Sequence, residues 1–143
     1  MNILDFSVPE EDRAAFAKIM AYLAQIDQEV TLEEKQAIDD MIYAWRLDEN
    51  SIFEIYEILE KGASIESLLG QLKNKKSKYL LIQELITLSN IDGNYGKNEK
   101  AAIDKIASEL HVSNKRVKEL EQWVSDGMKW RKRGIKLIQP EGE

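Results

Sequence analysis

Two stretches, DQEVTLEEKQAID at residues 27–39 and DGNYGKNEKAAID at residues 92–104, align without a gap at an offset of 65. Six of the 13 positions are identical: Asp27/Asp92, Glu34/Glu99, Lys35/Lys100, Ala37/Ala102, Ile38/Ile103 and Asp39/Asp104. Average composition gives about one such match by chance. Leu23/Leu88 and Ile26/Ile91 carry the correspondence upstream. Each copy reads as a helix closed by the aspartate, a short polar loop, and a second helix with the glutamate in its first turn. One helical hairpin cannot bury its apolar face alone. Two copies packed together form a common core with approximate twofold symmetry.

The paired acids admit two uses. Glu34 stands at N3 of a capping box opened by Thr31, and Glu99 stands at the same place after Gly96. Asp27 and Asp92 can accept backbone N–H bonds within their loops. On local physics alone, capping is the stronger reading. The other use is a metal site. Carboxylates brought together resist joint ionisation unless a cation neutralises them, and hard divalent cations take oxygen ligands. Asp27, Glu34, Asp92 and Glu99, helped by loop carbonyls, Asn94 and water, would suit Ca²⁺ or Mg²⁺. The loops are not EF-hands. Ile38 and Ile103 occupy the position where a 12-residue calcium loop needs its bidentate glutamate. Asp39 and Asp104 lie five residues beyond the glutamates and are expected on another helix face.

The twice-occurring aspartate–loop–glutamate element on helical hairpins resembles the TerB-like family. That family includes tellurite-resistance TerB proteins and the N-terminal domain of a membrane-anchored DnaJ-type co-chaperone. The resemblance spans roughly residues 10–125. It implies an all-α fold and a stress-associated module with acidic-residue metal binding, and it implies no established catalytic activity. Only Asp27, Glu34, Asp92 and Glu99 carry over to the metal role. The family's usual Ala-Asp-Gly is replaced by Ile26-Asp27-Gln28 and Ile91-Asp92-Gly93. The family's usual aliphatic residue after the loop is Val30 in the first copy but is replaced by Tyr95 in the second. Gln28 lacks glycine's backbone freedom, so the two loops need not turn alike.

Working outward, the pattern is helical throughout, and the only prolines, Pro9 and Pro140, lie near the two ends. Ser7-x-x-Glu10 predicts a capping box, followed by a helix with Phe16, Ile19, Met20, Leu23 and Ile26 on one side. The helix after Thr31 carries Ile38, Met41, Ile42 and Trp45. Ser51-x-x-Glu54 predicts the start of a third helix ending at Lys61-Gly62. A short helix follows Ser64. The lysine-rich stretch 73–78 is a solvated linker or helix start, and further helices span about 79–91 and 97–110. Ser113 caps a long basic amphipathic helix over about 114–138, with a break expected at Asp126-Gly127. The expectation is an all-α fold, one compact bundle of about seven helices forming a single domain over 1–143.

Composition narrows the function. The chain has 143 residues, no cysteine and one histidine, His111. Thiol chemistry, disulfide scaffolds and His-rich zinc sites are excluded, and a reducing, cytoplasmic setting fits. The start of the chain has no basic, apolar signal pattern, and no apolar run would span a bilayer. No nucleophile–base pair or phosphate-binding glycine loop stands out, so an enzyme is disfavoured. Residues 1–70 hold 16 acidic and 5 basic side chains, whereas residues 71–138 hold 8 acidic and 15 basic. Such poles can orient a protein partner, though charged helix faces are usually only solvated.

Two further constellations compete. Residues 100–121 have the spacing of a DNA-binding helix-turn-helix regulator, with Lys115, Arg116 and Lys118 on the second helix. His111 stands where a turn glycine is common, and the overall acidity argues against nucleic acid. The segment Lys129–Ile138 is basic and amphipathic, suited to an anionic membrane surface or to a structural adaptor role. Its simplest use is packing, with Trp123, Trp130 and Leu137 against the bundle at seven-residue spacing.

Overall fold

The helix Arg13–Gln25 (α1) is buried on nearly every side, with Phe16, Ala17, Ile19, Ala21 and Leu23 almost wholly hidden. It is the central helix, with more than the single apolar face expected from its sequence. Its alanines let neighbouring helices approach closely, and its one buried ammonium, Lys18, meets Glu54 at 2.6 Å. Around it the chain forms Leu32–Trp45 (α2), Glu49–Lys61 (α3), Ile65–Leu69 (α4), Lys75–Ser89 (α5), Lys97–Glu109 (α6) and Asn114–Leu137 (α7). The computed structural model describes residues 7–26, 29–90 and 95–142. Among these the fold is a bundle of seven α-helices without strands.

Helix α5 is the second central element, buried through Leu81, Ile82, Leu85 and Ile86. It packs on α1, while α2 and α3 pack on α1 and α6 and α7 pack on α5. Phe16 meets Trp45 edge-on, with ring centroids 5.7 Å apart, which seats α2 on α1. The short α4 lies against α1 and α6 through Ile65, Leu68 and Leu69.

Two pairs of helices start at the offset of 65. Helices α2 and α6 begin at Leu32 and Lys97, and α3 and α7 at Glu49 and Asn114. Both second helices end alike. Arg46 and His111 adopt left-handed backbone, with φ of 49° and 61°. Leu47 N–H donates to the Ile42 carbonyl and Arg46 N–H to that of Tyr43; Val112 N–H donates to the Ala107 carbonyl and His111 N–H to that of Ser108. These are Schellman caps built without glycine. The caps of the third helices also correspond. Ser51 N–H donates to Asp48 at 2.7 Å, and Arg116 N–H to the Ser113 hydroxyl at 3.2 Å.

Four local expectations need correction. The first helix does not open at a Ser7 box. Residues Glu10–Asp12 form a 3-10 turn, and α1 starts at Arg13. The third helix is capped by Asp48, not Ser51, because an aspartate three residues upstream reaches the Ser51 N–H first. No break occurs at Gly127, since α7 runs unbroken from Asn114 to Leu137. The far part of the stripe expected to pack on the bundle is exposed instead: Trp130 is 64% exposed and Leu137 84%. The Lys61-Gly62 stop forms as read. Gly62 has φ 77°, and a Cβ there would crowd Gln25 Oε1 at 3.0 Å.

The joint between the central helices is a buried carboxylate. Asp12 accepts from Lys73 N–H at 2.8 Å, Asn74 N–H at 3.0 Å, Asn74 Nδ2 at 3.0 Å and the Ser77 hydroxyl at 2.6 Å. It thereby caps α5 from another part of the chain. Burial alone would raise its pKa, but the bonds from Ser77, Lys73 and Asn74 outweigh that and hold it below 3.8. A depressed carboxyl contributes stability above its unfolded pKa, and that stability is lost as pH falls through the folded value. Asp12→Ala should cost about 3 kcal/mol at neutral pH, since it strands the donors that open α5. Urea unfolding at pH 7 and pH 3 checks both points, and Asp12→Asn should show a weaker acid response than wild type. By contrast, Arg46→Gly or His111→Gly should raise stability by about 0.5–1 kcal/mol by relieving left-handed strain.

Candidate functional site

Each half places a glutamate in the first turn of its second helix. In α2 the box is complete: Glu34 N–H donates to Thr31 Oγ1 at 3.1 Å, and Thr31 N–H donates to Glu34 Oε1 at 3.0 Å. In α6 only the glutamate half forms, because Gly96 has no side chain; its N–H donates to Glu99 Oε1 at 3.3 Å. Glu34 and Glu99 are 6% and 8% exposed. Capping needs a glutamate at N3 but does not need it buried. Of the four expected ligands these two are therefore placed, each bonded within its own turn. Asp27 and Asp92 lie outside the described residues. No group of three or more metal-ligating side chains occurs among the described residues.

Asp39 joins two helices, and Asp104 holds the lysine that joins two others. Asp39 accepts from the Tyr56 hydroxyl at 2.6 Å, tying α2 to α3. In the second half Lys100 lies 2.9 Å from both Asp104 and Glu121, and the Tyr95 hydroxyl donates to Glu121 at 2.9 Å. Tyr56 and Glu121 are themselves 65 positions apart. One tie is a neutral-to-charged hydrogen bond, the other an ion-pair network. Sequence reading missed both, and also missed Asp12, because each rests on contacts between separate helices. For the second tie, the signal available was the pair of charges at Lys100 and Asp104, four residues apart on one helix.

The network shifts its members. Burial pushes the Tyr95 hydroxyl far above its usual 10.0, helped by Glu121, Asp104 and Glu99. The bond to Asp39 raises Tyr56, with burial adding to it. For Lys100, burial pulls the pKa down, but the bonds to Glu121 and Asp104 win and hold the ammonium.

The helix-turn-helix stretch is the α6–α7 corner. Arg116 is engaged there, 3.1 Å from Glu119 and 5.6 Å over the Tyr79 ring. The same corner geometry joins α2 to α3, where Asn50, Ser51 and Phe53 replace Lys115, Arg116 and Lys118. The turn is thus a device of the fold that recurs without the basic residues a DNA-reading helix requires. Among the described residues, no helix is long and apolar enough to cross a membrane.

Raised phenol pKa values mean stability that is full below pH 10 and is lost as pH rises through the folded values. Ultraviolet titration should therefore show Tyr95 and Tyr56 still protonated at pH 10, and Tyr95→Phe should remove one late ionisation step.

No curated protein and no solved structure gives a significant match to the chain. A family model does match: that of the tellurite resistance protein TerB, over residues 13–122. This match runs from the first residue of α1 into α7 and takes in both halves of the bundle. The chain belongs to the TerB family.

Proposed function

We propose that the chain is a non-enzymatic, stress-associated interaction module of the cytoplasm whose two helix corners take a divalent cation, Ca²⁺ or Mg²⁺. Asp27 with Glu34 and Asp92 with Glu99 supply the carboxylates, one pair from each corner. The observation that carries this reading is the burial of Glu34 and Glu99, at 6% and 8% exposure, at positions 65 residues apart. Withdrawing a carboxylate from water is costly, and a solvent-exposed glutamate would cap equally well. A hard cation at the corner would add to the N–H bonds that these carboxylates already accept from Thr31 and Gly96. Binding then changes the charge of a strongly acidic half, which presents an altered face to a protein partner.

Thermal melts in chelator and in millimolar Ca²⁺ or Mg²⁺ test the proposal. A native-state ligand raises the melting temperature by linkage. Glu99→Gln is the informative variant, since glutamine keeps the capping bond and removes the charge. A cation-induced rise of several degrees that Glu99→Gln and Asp92→Asn reduce supports the site. Melting curves that coincide in chelator and in cation would overturn it.

A further inference from the structure

The family match stops at residue 122, but α7 continues to Leu137. Its last residue packed on the bundle is Met128, and every residue from Lys129 to Pro140 is exposed. At 1.5 Å per residue, the helix extends about 14 Å past Met128. This extension is two-faced. Leu137, Trp130, Ile138 and Ile135 fall within about half of the helical wheel, joined by Gly134 and interrupted by Arg131. Lys132, Lys136, Lys129 and Arg133 fill the other half. The apolar face is open: Trp130 is 64% exposed, Leu137 84% and Ile138 82%.

The charge is one-signed. No acidic residue occurs from Gly127 to Pro140, and none of the five basic side chains there pairs with a carboxylate among the described residues. Four cations elsewhere, Lys18, Lys100, Lys105 and Arg116, do meet carboxylates. We infer that the α7 extension is a docking surface for an anionic lipid bilayer. Trp130, Ile135, Leu137 and Ile138 enter the headgroup–acyl boundary, while the flanking lysines and arginines reach lipid phosphates with their stems along the apolar face. Tryptophan suits that boundary, having an apolar ring and one polar N–H. Two extensions laid against each other would repel, with five positive charges apiece and no acid between them. Residues 1–70, with 16 acidic against 5 basic side chains, are repelled by the same membrane.

Cosedimentation with vesicles of phosphatidylcholine, with and without about one-third phosphatidylglycerol, tests the inference. The expected result is at least about tenfold more protein bound to the anionic vesicles, falling as salt rises from about 0.1 to about 0.5 M, with a blue shift in tryptophan emission. Trp130→Ser with Leu137→Ser, and separately Lys132→Glu with Arg133→Glu, should abolish binding. Their circular dichroism and melting curves should remain those of wild type, because all four side chains are exposed. Wild-type protein left in the supernatant, or binding that survives both double variants, would overturn the proposal. Salt-sensitive self-association without vesicles, removed by these variants, would also overturn it by making a second copy the occupant.

Discussion

A buried carboxylate that closes the start of a distant helix holds the two central helices in register. Asp12 sits at the entry to α1, yet its partners are the first amides and first hydroxyl of α5. A charge wholly out of water is tolerable only with several donors on it, and Asp12 has four bonds from three residues. Those bonds also satisfy amides that every helix start leaves without an internal partner. Because α2 and α3 rest on α1, and α6 and α7 rest on α5, the geometry of that joint sets the position of both corners.

The two halves reach the same geometry with different chemistry. A threonine completes one capping box, whereas a glycine leaves the other half-made. Arginine and histidine both accept the left-handed turn. A tyrosine bridges to an aspartate in the first half, and a lysine network does so in the second. What persists is the placement of donors and acceptors, since backbone groups at helix ends must be satisfied whichever side chains are at hand.

Features encoded locally were legible in the sequence. The caps at Thr31, Gly96 and Ser113 and the Gly62 stop each depend on residues within four or five positions of one another. The helical period gave the all-α bundle and most helix bounds. Features that depend on distant partners were not legible. Asp12 meets residues 61–65 positions away, and nothing near it in the chain marks it as a cap. The ends at Arg46 and His111 lack the glycine by which a Schellman cap is usually read. The α7 extension was misread for a different reason. An amphipathic pattern states that a helix has an apolar face but not whether the bundle is long enough to cover it. At the corners, the buried glutamates stand in the turns where they were expected, but their burial could not be read from spacing.

The joint at Asp12 also governs when the fold can close. During synthesis, α1 leaves the ribosome some 60 residues before Ser77, and until then its aspartate has none of its α5 donors. The central helix therefore cannot be sealed by the first half alone, and its hidden faces wait for a partner still being made. Closure over so long a loop carries an entropic penalty that local helix pairing does not. A nascent chain that stops before α5 therefore leaves uncovered the side of α1 on which α5 packs.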